Sequence, residues 1–214
     1  MLVVIVPVLR RPHRVAPLMD SLSVATSAPH RLLFVCDPDD YGEQEAVDAA
    51  GGERIDVAGN YAVKINAGYR HTDEPLLFLG ADDIDFHPFW FERAVAELAD
   101  PAVGVVGTND LGNPRVIAGL HATHSLVTRS YVDQFGTIDE PGKVLHESYL
   151  HEYVDTEFVD TAKFRGAWAF ARDSVVEHMH PHWGKSPTDA IYDAHPGRMK
   201  VGARIYRRRQ HLWT

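Results

Sequence analysis

Four apolar residues, Leu76-Leu77-Phe78-Leu79, run directly into Gly80-Ala81-Asp82-Asp83-Ile84-Asp85-Phe86-His87-Pro88. A short unbroken apolar run bounded by turn formers reads as a strand buried on both faces, and such strands belong to parallel sheets. In an open sheet of that kind ligands bind outside the carboxyl ends of the strands. Three carboxylates crowded at such an end repel one another unless something positive lies between them. A hard divalent cation, Mg²⁺ or Mn²⁺, carrying an anionic phosphate ligand would satisfy them. The other reading is a solvated acidic turn before the helix that begins near Pro88, since Asp also suits a helix N-terminus.

The residues on either side repeat the alternation. Leu2 to Leu9 reads as a buried strand that ends or meets an edge at Pro7. A basic loop, Arg10-Arg11-Pro12-His13-Arg14, leads to a helix ending near Leu22, with Val15, Leu18, Met19 and Leu22 on one face. Arg31 to Cys36 is a second strand, ending in Asp37-Pro38-Asp39-Asp40. Gly42 to Ala50 reads as a short helix closed by Gly51-Gly52, Arg54 to Val57 as a third strand, and Gly59 to His71 as a helix. After the central strand come a helix over Phe89 to Ala99 and a strand over Val103 to Val106. This order predicts a doubly wound α/β sheet. Beyond Asn109 the pattern loosens. It predicts an antiparallel strand within Leu120 to Val127, a helix over Thr128 to Phe135 and a loop from Ile138 to Ser148. A helix over Tyr149 to Ala162 follows, with Asp155 in its interior, then a strand over Gly166 to Ala171. His178, His180 and His182 alternate after that, and the last thirty residues carry little pattern.

The balance of charge narrows the partners. With 21 basic against 30 acidic residues, the formal net charge is −9, which argues against a broad nucleic-acid-binding face. The one basic run, Arg207-Arg208-Arg209, reads as a solvated tail or an anion-binding one. Cys36, the single cysteine, lies in an apolar run, and a reducing compartment fits. Met1 to Leu9 is too short for a membrane span, and its arginines follow rather than precede it. The expectation is a cytoplasmic protein with no transmembrane segment.

Four of these segments, taken in order, resemble the nucleotide-binding half of family 2 glycosyltransferases of the GT-A fold. They are Val4-Ile5-Val6-Pro7-Val8 with its arginine loop, Phe34-Val35-Cys36-Asp37, Lys64-Ile65-Asn66-Ala67-Gly68, and Leu79-Gly80-Ala81-Asp82-Asp83 followed by Pro88. The resemblance covers about the first 110 residues and departs from the family at Gly80, where the first acid of the metal motif would stand. It implies a single GT-A-like domain, a three-layer α/β/α sandwich with a mostly parallel central sheet. Residues 1–110 would be the nucleotide-sugar half and residues 111–214 the acceptor half. It further implies a UDP- or GDP-sugar donor, contacted by Pro7, Arg10, Asp37, Lys64, Asn66, Gly68 and Asp82. A Mn²⁺ or Mg²⁺ ion would be held from among Asp82, Asp83, Asp85 and His180. An acceptor hydroxyl also needs a base, and Val154-Asp155-Thr156-Glu157 is the nearest match to the family's acidic helix-start motif, with Val154 in place of its first acid, making Asp155 the candidate and Glu152 and Glu157 its rivals.

Each residue has a structural reading as well. Asp37 suits a turn before Pro38, Lys64 a solvated helix face, Asn66 a helix start, and Gly68 a close packing contact. Trp168 and Trp183 fit either an acceptor pocket or the core. Two other functions stay open: a nucleotidyltransferase of related architecture, disfavoured because Arg10-Arg11-Pro12 lacks glycine, and a non-catalytic nucleotide- or sugar-binding module, to which Gly80 and Val154 lend support.

Overall fold

The computed structural model describes residues 1–193 and 195–213. Strands β1 (Leu2–Pro7), β2 (His30–Cys36), β3 (Glu53–Asp56) and β4 (Leu76–Leu79) alternate with helices α1 (Val15–Ala25), α2 (Tyr41–Ala49) and α3 (Tyr61–His71). Next come β5 (Ile84–Phe86), α4 (Trp90–Glu97), β6 (Val105–Asn109), α5 (Pro114–Ile117), β7 (Ser125–Thr128) and α6 (Arg129–Gln134). The remainder forms α7 (Val154–Phe164), β8 (Trp168–His178), α8 (Ala190–Asp193) and α9 (His195–Arg209). The eight strands make one sheet in the order β3-β2-β1-β4-β7-β6-β8-β5. Pairs β3/β2, β2/β1, β1/β4 and β6/β8 are parallel, while β7 and β5 run antiparallel to their neighbours.

The alternation of β1 explains the three layers. Leu2, Val4 and Val6 face Val15, Leu18 and Leu22 of α1 and Trp90 of α4. Val3 and Ile5 face Ala62 and Ile65 of α3 and Phe158 and Ala162 of α7. Both faces of the strand are therefore apolar and covered, as a central parallel strand requires. Gly68 lets α3 lie close on β1, because a Cβ there would come within 2.5 Å of Ile5 Cγ2. Among the described residues no helix is long and apolar enough to cross a membrane.

Several boundaries differ from the sequence reading, each for a local reason. Strand β6 starts at Val105, two residues late. The predicted strand over Leu120 to Val127 shrinks to Ser125–Thr128 but is antiparallel to β4 and β6, as expected. The predicted strand at Gly166 to Ala171 and the histidine-bearing segment are one long strand, β8, interrupted by an irregularity opposite Thr108 and Asn109. Helix α7 starts at Val154, because Tyr153 takes a left-handed conformation (φ 70°) that helical residues cannot share. Asp155 therefore stands in the first turn rather than the helix interior. The basic run near the C-terminus closes α9, and Arg209 is no solvated tail: it binds Glu157 (2.8 Å) and Asp139 (2.7 Å).

Candidate functional site

The crevice is built first from strand ends. Lys64 projects from α3 beneath the ends of β1 and β2, where its Nζ donates to Val8 O (2.9 Å) and to Asp37 Oδ2 (2.7 Å). Its side chain is only 3% exposed, so it is not a solvated helix lysine. Asn66 is fully buried in the middle of α3. Its amide nitrogen donates to Leu145 O (2.8 Å) and Glu147 Oε1 (2.9 Å), and its oxygen accepts from the amides of Val144 (2.9 Å) and Leu145 (3.1 Å). Asn66 thus ties the helix to the loop 144–147 of the other half. Pro7 ends β1 at the same edge, and Gly68 serves the packing of α3.

The basic loop turns on Arg10, which is exposed and left-handed (φ 53°), with its N–H donating to Asp40 Oδ2 (2.7 Å). Holding a residue with a side chain there costs about 1–3 kcal/mol. The turn sends the next residue, Arg11, inward. Its Nη1 reaches Asp82 Oδ1 at 3.0 Å, and Arg14 Nη1 lies 3.8 Å from Asp83 Oδ2. The structure thus puts Arg11 at the crevice and Arg10 on the surface.

Asp82 and Asp83 follow β4 at its carboxyl end, as expected. Asp83 Oδ2 accepts from Tyr192 Oη (2.7 Å) and contacts His178 Nε2 (3.2 Å). Backbone bonds from His178 N to Asp110 O (3.1 Å) and from Met179 N to Asp83 O (2.7 Å) fix the end of β8 beside the dyad. Burial raises the Asp83 carboxyl, but His178 and Tyr192 more than offset it and hold it well below the usual range. Burial and then the neighbouring Asp83 charge raise Asp82, against Arg11 and Arg14. His178, despite burial, is pushed upward by Asp83. His180 accepts from His182 N through Nδ1 (3.0 Å), and its ring packs on His178 (5.1 Å) and Tyr192 (4.6 Å). It is His178, then, that touches the dyad.

Asp85 does not join Asp82. The short strand β5 carries it into register with Glu177, where Asp85, His87 and Glu177 bring ligand atoms within 4.8 Å of one another. Glu177 there already accepts from Lys185 (2.8 Å) and pairs with His87 (2.8 Å). Gly80 lies against β1: its N–H donates to Ile5 O (2.9 Å), and a Cβ would meet Val6 Cγ2 at 3.0 Å and Ile5 O at 3.2 Å.

Asp155 reaches the crevice from the second half. Its Oδ2 contacts His121 Nε2 (3.1 Å) and its Oδ1 accepts from Thr156 N (2.8 Å). Burial raises this carboxyl, but His121 and the helix-start amide outweigh it and hold it below its ordinary value. An ionised carboxylate in a helix's first turn is also favoured by the dipole. Asp155 lines a small cavity with Tyr61, Leu79, Thr123 and Phe158. Tyr61 links this cavity to the segment that carries the dyad, because it lines the cavity and its hydroxyl donates to Gly80 O (3.0 Å). Trp168, half-buried, packs over Gly107, and Trp183 packs against Gly112. Sequence reasoning did not select Arg11, Arg14, His121, His178, Asp189 or Tyr192. The basic loop and the alternating histidines were the only signals for any of them.

No protein-family model matches the sequence, and no curated protein sequence does either. Solved structures do match in fold. Glucosyl-3-phosphoglycerate synthase from Mycobacterium tuberculosis, in complex with phosphoglyceric acid, superposes with a TM-score of 0.67 at 13% identity, covering 97% of this chain and 79% of that one. The same enzyme in complex with Mn²⁺, UDP and glucosyl-3-phosphoglycerate gives 0.67 at 12% identity, with the same coverage. A mannosyltransferase from Pyrobaculum calidifontis, in complex with GDP-Man and Mn²⁺, gives 0.63 at 15% identity, covering 98% and 75%. The fold is therefore GT-A-like: a mixed, mostly parallel eight-stranded α/β sandwich.

Proposed function

We propose that this chain is a metal-dependent, inverting glycosyltransferase with the motif order of family 2, moving a sugar from a UDP- or GDP-sugar to an acceptor hydroxyl. Residues 1–110 supply the donor site and the remainder the acceptor site. One observation carries the reading. The Asp37–Lys64 pair, the Asp82–Asp83 dyad and a half-buried Asp155, held ionised by His121, converge on one edge of a sheet whose fold is shared with nucleotide-sugar enzymes.

Asp37 and Lys64 face the nucleotide, with Asp37 accepting from an N–H of the base. Two carboxylates with an imidazole beside them are oxygen and nitrogen donors of the kind Mn²⁺ and Mg²⁺ accept, so Asp82, Asp83 and His178 fit such an ion. When bound, the ion neutralises charge on the diphosphate oxygens. Asp155 takes the proton of the acceptor hydroxyl as its oxygen attacks the anomeric carbon. The bond from that carbon to the diphosphate oxygen breaks, and the electron pair leaves with the nucleoside diphosphate. His121 keeps Asp155 ionised and oriented, and Tyr61 walls the cavity against water.

A thermal-shift titration with UDP- and GDP-sugars, with and without Mn²⁺, tests the reading, because a ligand of the folded form raises the midpoint. Released nucleoside diphosphate supports it. Released pyrophosphate would make the chain a nucleotidyltransferase, and binding without turnover would make it a binding module.

A further inference from the structure

Arg11 is the most heavily engaged cation of the crevice. Its side chain is 6% exposed. Its Nε donates to Asp189 Oδ2 (2.8 Å) and its Nη2 to Asp189 Oδ1 (2.9 Å), a two-pronged pair, while Nη1 holds Asp82. The guanidinium also stacks on Tyr192, 3.9 Å from the ring centroid. Asp189 and Tyr192 come from far along the chain. Asp189 caps the four-residue helix α8 through the amides of Ile191 (3.0 Å) and Tyr192 (3.1 Å), and its side chain is 33% exposed. Tyr192 in turn donates to Asp83 (2.7 Å). A carboxylate gripped by both prongs of a guanidinium presents the same pair of oxygens that a phosphate does.

We infer that Arg11 is the residue that grips the donor's diphosphate, and that Asp189 is an internal stand-in for it, displaced together with Tyr192 when the donor arrives. The inference rests on the glycosyltransferase reading for the identity of the ligand. Geometry requires the exchange: Nε and Nη2 of Arg11 are both taken by Asp189, so a diphosphate is gripped in the same two-pronged way only once that carboxylate leaves. Arg11 is nearly buried and held by β1's loop, whereas Asp189 is partly exposed on a short helix, so it is the aspartate that leaves. Its departure takes Tyr192 off Asp83 as well, coupling occupancy of the phosphate position to release of the dyad.

The experiment measures affinity for UDP, GDP, inorganic pyrophosphate, uridine and guanosine in the full chain, in D189N, in R11Q and in the double variant. Asparagine still caps a helix, so D189N keeps α8. D189N should bind pyrophosphate and the nucleoside diphosphates at least about fivefold more tightly than the natural chain, with nucleoside affinity unchanged. R11Q should abolish that gain, and hydrogen exchange over residues 186–193 should quicken when UDP or GDP binds the natural chain. Equal diphosphate affinity in the natural chain and D189N overturns the inference while leaving the transferase reading intact. Tightening for pyrophosphate with no preference for UDP or GDP over it supports the exchange and overturns the transferase reading.

Discussion

Asp37, Asp82 and Asp83 stand where β2 and β4, the two parallel neighbours of β1, end, and each comes with a partner close by: Lys64 for the first, Arg11, Arg14 and His178 for the dyad. Asp155 reaches the same crevice from a helix start, set by a left-handed Tyr153 and paired with a histidine from a loop. The first arrangement follows from the sheet itself, since a strand's carboxyl end has a fixed place. The second depends on turns that no periodicity announces. On the proposed reading, the donor side of the crevice is built by the sheet, while the base is brought in separately by tertiary contacts.

Substitutions on the two sides should therefore fail in different ways. The largest effect belongs to the acceptor side. Asp155→Asn should cut transfer by about 10²–10⁴-fold, since an amide cannot take the proton, while leaving donor affinity within about twofold. Retained turnover would remove Asp155 from the reaction. On the donor side, Lys64→Met strands Asp37 beside a buried apolar chain. It should cost about 3 kcal/mol in urea denaturation, and a loss under about 1 kcal/mol would mean that the ends of β1 and β2 are held by something else. Asp82→Ala should weaken UDP or GDP binding by about tenfold, or 1.4 kcal/mol, in Mn²⁺ and little without it. An equal loss in both would separate Asp82 from the ion.

The smallest effect concerns pH. The folded state holds Asp155 below its ordinary value of 3.8. Its stabilisation is therefore present above that pH and fades only as pH falls through the lower folded value. His121→Gln removes the charge that offsets burial, so the acid unfolding midpoint of that variant should move to higher pH. An unmoved midpoint would mean that the helix start alone sets the carboxylate.

What the sequence disclosed follows the same division. The alternating strands and helices before residue 110, the acids past Leu79 and a close packing contact at Gly68 were readable, because each depends on period, turn chemistry or the small size of glycine, though not that the contact is with β1. Arg11 was not separable from Arg10, since a single left-handed residue decides which side chain turns inward. Asp85 could not be separated in the sequence from Asp82 and Asp83, because a three-residue strand, too short to show alternation, takes it to the sheet edge beside Glu177. His178 and His180 lie two apart on what reads as one face, and only the backbone bonds to Asp83 and Asp110 distinguish them. Asp189 and Tyr192 sit in a tract without pattern and gain meaning only from partners more than a hundred residues away.

Gly80 has a bearing on how the crevice can change. With Val6 and the carbonyl of Ile5 already at contact distance from an added Cβ, a third acid there would have to force β1 aside by a few tenths of an ångström. A smaller residue at position 6 would relieve only the first of these contacts, since the carbonyl of Ile5 belongs to the backbone. A single exchange to an acid at position 80 therefore disturbs β1, the strand that pairs with both β2 and β4.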